Sequence, residues 1–278
     1  MKFLLLLLNL LFTITTFSQI QNPNTRGTII VSVICKDGIV MCADSRSSFT
    51  NQCQDGLTVT AYFDSVRKIC TLGNYLIGVA GFSGLKGELW ENLIDGYNKK
   101  YKSDSTLLKT FMNFKSYVSK KLNVSDHAIF NSVFFMAGYE NGSPLCLVID
   151  SNGVKSVNKF PYRFYSDSSF GKYYNAHPLD PSHTIDVANF LEQRFFEFYK
   201  TKQAEMVGGP VMALEINNKN KIKELKTFKP LKFKNVIELD KSILSGKTNL
   251  IFTSPVFKED LMKGLKITVR YPQILLDY

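Results

Sequence analysis

The amino-acid sequence predicts an α+β protein in which two antiparallel sheets pack face to face, with helices outside each sheet. The first observation is the order of elements: strands, two helices, strands, one helix and strands again. The second is that several strands are apolar on both faces, as is typical of strands buried between other layers. The third is that short turns containing Gly, Asn or Asp join consecutive strands, which indicates antiparallel pairing.

The first part of the chain carries apolar runs with little polar alternation, joined at Lys36-Asp37-Gly38 and at Gly73-Asn74. Such runs, bounded by turn residues, predict strands buried on both faces. Residues 46–58 are polar and are predicted as a loop. The predicted strands are 28–35, 39–43, 66–71 and 75–80.

Helices follow, because apolar residues recur at helical spacing in three later segments. The second of them begins after Ser103-Asp104-Ser105, residue types that cap helix N-termini. Between and after the helices, short apolar runs bounded by turns predict further strands. The predicted helices are 84–100, 105–122 and 184–201, and the strands are 132–139, 145–150, 153–158, 210–216, 220–227, 248–252 and 265–270.

The N-terminus has the layout of a bacterial-type secretory signal peptide over residues 1–18, with a positive start at Lys2 and an apolar run from Phe3 to Phe12. That run is too short to span a bilayer comfortably, and no other segment is apolar enough. Cleavage near Ser18 and Gln19 predicts a protein exported to the periplasm or the extracellular space, with no stable membrane insertion. An uncleaved anchor is the alternative.

Composition disfavours several classes of function. The net charge is +10, but the Lys residues are spread along the chain, which is typical of solvated surfaces and not of a nucleic-acid site. Three His and no CxxC motif disfavour a zinc site, a Ser-His-Asp triad and any metal or other cofactor. Of the five Cys, Cys53 lies in a polar segment, and four lie in apolar runs and are expected to be buried: Cys35, Cys42, Cys70 and Cys146.

The candidate nucleophile is Thr28, which follows Gly27. A Thr hydroxyl beside its own free α-amine needs no His, because an amine with a pKa of about 7.7–8.0 accepts the proton near neutral pH. A nearby Lys lowers that pKa, and an Asp holds the Lys. Taken alone, Thr28 is also simply a β-branched residue that starts a strand.

Three further motifs accompany Gly27-Thr28: Ala43-Asp44-Ser45-Arg46, Val66-Arg67-Lys68-Ile69, and an apolar run that ends at Ala80-Gly81. Together they resemble the N-terminal part of a proteasome β-type subunit, a T1-type threonine peptidase of the N-terminal-nucleophile (Ntn) hydrolase family. The resemblance implies a four-layer αββα Ntn-hydrolase sandwich of two antiparallel sheets with helices outside.

The resemblance also implies site roles. Self-cleavage of the Gly27-Thr28 bond would free Thr28 as nucleophile, Lys68 would lower the pKa of its amine, and Asp44 would orient Lys68. The N–H of Gly81 would stabilise the oxyanion, with Phe82 as the alternative in a register shifted by one residue.

Further positions match less closely, and the resemblance implies supporting roles for Arg46, Ser168, Gly208 and Gly209. Where the family has an Asp and a Ser before its Gly-Gly pair, this chain has Ala204 or Glu205, and Val207. The implied organisation is a signal peptide at 1–18, a propeptide at 19–27, the hydrolase domain at 28–230 and a C-terminal extension of that domain at 231–278.

The expected function is that of an exported, self-processed, threonine-type endopeptidase that acts on peptides or proteins without a cofactor. The resemblance implies assembly into a homo-oligomeric ring, and no nucleic-acid partner is expected. Two alternatives remain: an Ntn amidase or acylase acting on a small amide, and a non-catalytic proteasome-like subunit or binding module.

Overall fold

A computed structural model describes residues 28–53, 56–101, 106–158, 162–165, 170, 183–201, 204, 206–226, 228–270 and 273. The predicted signal peptide, the predicted propeptide with Gly27, and Ser168 all lie outside these residues. Within the described part of the chain, no helix is long and apolar enough to cross a membrane.

The described elements alternate between groups of strands and groups of helices, in nearly the predicted order. The helices are α1 (Trp90–Lys100), α2 (Leu107–Leu122), α3 (Asp126–Ile129), α4 (Thr184–Phe198), α5 (Val236–Leu244) and α6 (Val256–Arg270). The strands are β1 (Ile30–Ile34), β2 (Ile39–Ala43), β3 (Ser47–Cys53), β4 (Gly56–Phe63), β5 (Ile69–Leu72), β6 (Tyr75–Ala80), β7 (Gly84–Leu85), β8 (Glu88–Leu89), β9 (Val133–Glu140), β10 (Ser143–Asp150), β11 (Gly153–Val157), β12 (Tyr162–Tyr165), β13 (Met212–Ile216), β14 (Ile222–Lys226) and β15 (Ile251–Phe252).

Two five-stranded sheets make up most of the β structure. The first has the order β12-β1-β2-β13-β14 and the second β11-β10-β9-β6-β5. Every pairing within them is antiparallel, as the short turns between consecutive strands require. The predicted α+β class with antiparallel sheets is confirmed.

Apolar clusters join each five-stranded sheet to helices and join the two sheets to each other. One cluster joins the second sheet to α1 and α2, and another joins the first sheet to α4. A third contains residues of both sheets, including Ile30 and Met41 with Leu76 and Phe135. The approach there is close, because a Cβ added to Gly78 of β6 would lie 3.1 Å from both Ile30 Cδ1 and Met41 Sδ.

Three predicted elements differ in the structure. The loop predicted at 46–58 is wrong, because β3 and β4 form an antiparallel hairpin there. The strand predicted at 265–270 is also wrong, since those residues belong to α6. The helix predicted from residue 84 begins at Trp90, because residues 84–89 form the short β7–β8 hairpin.

A fourth apolar cluster explains the first two differences. It joins the inward-facing Ala61 and Phe63 of β4 to Leu239, Leu261 and Leu265 of the C-terminal helices. Alternate residues of β4 therefore face a partner that is more than 150 residues away in the sequence. Residues 231–270 form a structured layer on the β3–β4 hairpin, which a local pattern does not predict.

Four of the cysteines, Cys35, Cys42, Cys70 and Cys146, are buried and free, as expected from their apolar runs. Burial raises the pKa of Cys35, Cys70 and Cys146 to about 12. Because the thiolate is the reactive form, these thiols are inert at neutral pH. They contribute to the structure as small apolar side chains.

Asp240 in α5 predicts a specific dependence of stability on pH. Its side chain is 4% exposed, and burial raises its pKa to about 7, above the value of about 3.9 expected in the unfolded chain. The native state therefore binds more protons than the unfolded state between these values, and stability falls as pH rises through this window. Asp240→Asn should increase the free energy of unfolding at pH 8 by up to about 4 kcal/mol, with little change at pH 4.

Urea denaturation at pH 4 and pH 8 measures this effect. Asp260→Asn, at an exposed position of α6, is the matched control and should follow the wild type at both pH values. Equal pH dependence in all three proteins would contradict the prediction.

Candidate functional site

Asp44 lies at the end of β2 and is completely buried. Its Oδ1 accepts hydrogen bonds from the backbone N–H of Ile29 at 2.8 Å and from Lys68 Nζ at 2.9 Å. Its Oδ2 accepts from the backbone N–H groups of Arg46 and Gly208, both at 3.2 Å. One carboxylate thus connects the start of β1, the end of β2, the segment before β5 and the segment before β13.

Lys68 is the cationic partner of Asp44 and is only 8% exposed. Its own backbone N–H donates to Met212 Sδ at 3.4 Å, and its carbonyl accepts from the N–H of Val79 at 3.0 Å. Burial lowers the pKa of Lys68 and raises that of Asp44, while their mutual attraction opposes both shifts. Perturbed pKa values in a buried pair of opposite charges are typical of functional sites.

The Gly208-Gly209 pair allows the chain to pass next to Asp44. The carbonyl of Gly208 accepts from the N–H of Ser45 at 3.1 Å, in addition to the bond from its own N–H to Asp44. A Cβ at Gly208 would lie 2.5 Å from Arg46 Cζ. Gly209 has φ +76°, and its Cβ would lie 2.6 Å from Ser45 Oγ. Gly209 therefore requires glycine for its conformation, whereas a side chain at Gly208 would displace the Arg46 guanidinium.

Arg46 is held away from Asp44 by a different set of partners. Its Nε donates to Asp64 Oδ1 at 3.0 Å, and its guanidinium carbon lies 3.6 Å from the centre of the Tyr62 ring. This is a combined ion pair and cation–π contact with the end of β4. The β3–β4 hairpin, which sequence reasoning missed, therefore supports the Arg46 side chain beside the site.

Gly81 follows β6 in a turn with φ +104°. A Cβ there would lie 3.1 Å from the carbonyl oxygen of Asn131, so the position is both strained and crowded for other residues. The next residue is positioned by Ser132, whose Oγ donates to the Phe82 carbonyl at 3.5 Å and accepts from Trp90 Nε1 at 3.2 Å. Ser132 and Trp90 were not predicted, because their contribution depends on contacts between distant segments.

These groups meet at one cavity, which is partly open to solvent. Thr28, Lys68 and Gly81 all line it, and Thr28 is 8% exposed. Apolar side chains complete the wall, namely Cys70, Val79, Trp90 and Ile94. Polar groups that converge on a cavity beside apolar side chains are typical of a small-molecule or side-chain binding site.

The structure brings together most of the predicted site residues. Thr28, Arg46, Lys68 and Gly81 line the cavity, and Asp44 lies behind it as the partner of Lys68. Gly208 contacts Asp44 directly, and Gly209 packs on the adjacent Ser45 and Asp64. The roles assigned to these residues stay predictions.

Two of the positions that depart from the family pattern are apolar, and Glu205, the alternative to Ala204, lies outside the described residues. Ala204 and Val207 are each 3% exposed and belong to the cluster that packs on α4. They cannot supply the polar support that the Asp and Ser of the family motif would provide. In the described part of this segment, the Gly208 N–H donates to Asp44, and the Met206 carbonyl accepts from Ser48 Oγ at 3.1 Å.

Comparison with known proteins places the chain near one group of structures. No protein-family model and no curated protein matches the sequence. An Anbu (Gly-1) mutant from Hyphomicrobium sp. strain MC1 is similar with a TM-score of 0.49 and 12% identity, covering 88% of this chain and 96% of that one. Anbu (ancestral beta-subunit) from Yersinia bercovieri has a TM-score of 0.47 and 12% identity, with 71% and 87% covered.

These findings correct the family assignment. The motifs predicted a proteasome β-type subunit of the T1-type threonine peptidases, whereas the similar solved structures are Anbu proteins, which are proteasome-like but distinct. No family model supports the T1 assignment either. The short motifs around Thr28 are therefore insufficient to assign that family.

Proposed function

We propose that the protein hydrolyses amide bonds and uses Thr28, freed by cleavage after Gly27, as its N-terminal nucleophile. The observation that carries this proposal is the buried Lys68–Asp44 ion pair behind a cavity lined by Thr28 and Lys68. An ion pair removed from water is costly to maintain unless further hydrogen bonds stabilise it, and Asp44 has three such bonds from backbone N–H groups. Perturbed ionisable groups beside a cavity are typical of functional sites.

The proposed chemistry follows from the residue types. The Thr28 hydroxyl attacks the carbonyl carbon of the substrate amide, and the α-amine of Thr28 accepts the hydroxyl proton. The positive charge of Lys68 favours the neutral amine and the developing alkoxide, while Asp44 holds Lys68 in place. The proton then passes to the leaving amine, and water hydrolyses the ester formed on Thr28, which restores the hydroxyl.

The wider proposal concerns architecture and setting. The three clusters of the core favour a four-layer αββα arrangement, with α1 and α2 outside one sheet and α4 outside the other. Peptides or proteins are the proposed substrates, with export guided by residues 1–18 and assembly into a homo-oligomeric ring. Sedimentation of the exported protein tests the ring.

The mass of the exported protein tests the proposed nucleophile. Wild-type protein should begin at Thr28, and Thr28→Ala should retain residues 19–27, because only the wild type has the hydroxyl that attacks the Gly27 carbonyl. Intact mass and N-terminal sequencing measure both. If both proteins begin near Gln19, self-cleavage does not occur and the proposed mechanism is wrong.

A non-catalytic binding module is the second candidate function. The buried, apolar Ala204 and Val207 favour it, because a polar group that would support the nucleophile is absent at those two positions. It predicts a protein that keeps residues 19–27 and binds peptides without cleaving them.

A further inference from the structure

A second cavity, also partly open to solvent, lies next to the cavity that contains Thr28. The two cavities share four lining residues, Val66, Arg67, Ser83 and Glu91. The shared residues include two charged side chains and a hydroxyl, so the passage between the cavities is polar. A group that extended from Thr28 toward the second cavity would pass along these shared residues.

Beyond the polar passage, the second cavity is apolar. Its remaining walls are Phe63, Leu89, Leu231, Phe233 and Leu239. The first two come from β4 and β8, and the other three come from residues 231–239 of the C-terminal extension. The extension, which the sequence left without a function, thus supplies three of the six apolar residues that line this cavity.

The extension is fixed at this place by backbone hydrogen bonds. The N–H of Leu231 donates to the carbonyl of Ser65 at 2.9 Å, three residues before Lys68. Asn92 Nδ2 donates to the carbonyl of Phe233 at 2.7 Å. The N–H of Val236 donates to the carbonyl of Gly87 at 2.9 Å. The apolar wall is therefore anchored to the same segments that position the Thr28 cavity.

We propose that this second cavity binds a bulky apolar group of the substrate whose amide lies at Thr28. The inference rests on the proposed function and specifies its substrate class: amides that carry a large apolar side chain or acyl chain at a distance from the cleaved bond. The polar passage at Ser83 and Glu91 suits the peptide or amide groups between the two ends. Its six apolar side chains form a surface that suits an aromatic side chain or an alkyl chain.

The test fills the cavity and compares substrates that differ only in apolar length. Leu231 is half-buried at the cavity wall, so Leu231→Trp fills the space with little disturbance of the core. Leu250→Trp is the matched control, because Leu250 is half-buried in the same apolar cluster and lines neither cavity. Hydrolysis is measured on octanoyl and acetyl amides of one fluorogenic amine, and on peptides with Phe or Ala at each position flanking the cleaved bond.

Leu231→Trp should reduce kcat/KM on the octanoyl amide or on the Phe peptides by about 10-fold to 200-fold, which is the range for a few methylene groups in an apolar pocket. The acetyl amide and the Ala peptides should be unchanged, and Leu250→Trp should behave as the wild type on every substrate. A loss of activity on the octanoyl amide identifies the apolar group as an acyl chain, and a loss on the Phe peptides identifies it as a peptide side chain. Equal effects on long and short substrates, or no effect, would overturn the inference.

A binding measurement separates this inference from the proposed function. Decan-2-one has an alkyl chain and no amide, so its binding, measured by calorimetry, does not depend on hydrolysis. We expect Leu231→Trp to weaken its binding at least about 10-fold relative to the wild type and Leu250→Trp. If no substrate is cleaved but this difference is found, the proposed function fails and the apolar subsite stands. If hydrolysis depends on Thr28 but this difference in binding is absent, the proposed function stands and the apolar subsite is wrong.

Discussion

Thr28→Ala is expected to lose at least about 10⁴-fold in the rate of amide hydrolysis, because the substitution removes the hydroxyl that forms the covalent intermediate. The fold should survive, since Thr28 precedes β1 and its side chain lines the cavity. The measurement is kcat/KM on a fluorogenic peptide, together with the circular dichroism spectrum and Tm of each protein.

Thr28→Ser is the control for this prediction, because it keeps a hydroxyl and removes one methyl group. It should be cleaved after Gly27 and retain measurable activity, whereas Thr28→Ala should have neither property. Activity should also rise with pH as the Thr28 amine loses its proton, whose ordinary pKa is about 7.7–8.0. An active Thr28→Ala protein would exclude Thr28 as the nucleophile.

Separating Asp44 from Lys68 is expected to give the largest loss of stability. Asp44→Asn leaves a buried ammonium without its counter-charge and places an amide N–H₂ against backbone donors, which should cost about 3–5 kcal/mol. Lys68→Met should cost less, because Asp44 keeps its bonds from the N–H groups of Ile29, Arg46 and Gly208. The double variant should be more stable than the sum of the two single effects predicts, by about 1–3 kcal/mol.

Urea denaturation of the four proteins in this double-mutant cycle measures the coupling. The surface pair of Lys115 and Asp126 provides the control cycle, because the Asp126 side chain is 59% exposed. Its coupling should be below about 1 kcal/mol. All variants at Asp44 and Lys68 should also lose hydrolysis if the proposed function is correct. Additive effects at Asp44 and Lys68 would show that the pair is not energetically coupled.

Much of the fold follows from local sequence patterns. The strands β1, β2, β5, β6, β9 and β10 coincide with predicted runs to within a few residues, because turn residues and uninterrupted apolar segments determine their bounds. The helix α2 begins close to the predicted position, where Thr106 accepts a hydrogen bond from the N–H of Lys109. These elements depend on neighbours along the chain.

The elements that were missed depend on distant neighbours. The β3 segment is rich in polar residues, and it pairs with β4 to form a hairpin covered by the C-terminal helices. In α6 the β-branched Ile267, Thr268 and Val269 locally favour a strand. The helical spacing of Leu261, Leu265 and Thr268, which are all buried, allows one face to pack on the body of the protein. Tertiary packing overrides a local propensity of less than about 1 kcal/mol per residue.

By itself, the sequence determined the α+β class and the antiparallel strands, because turn residues and apolar runs encode these features locally. It also predicted Thr28, Asp44, Lys68 and Gly81 as one candidate site, through the resemblance of short motifs to a known family. Only the tertiary structure decided that Gly208 donates to Asp44 from 164 residues away, and that the C-terminal extension walls a second cavity beside Thr28. The physical reason is that hydrogen bonds and apolar contacts act over a few ångströms in space, whatever the separation of the residues in the sequence.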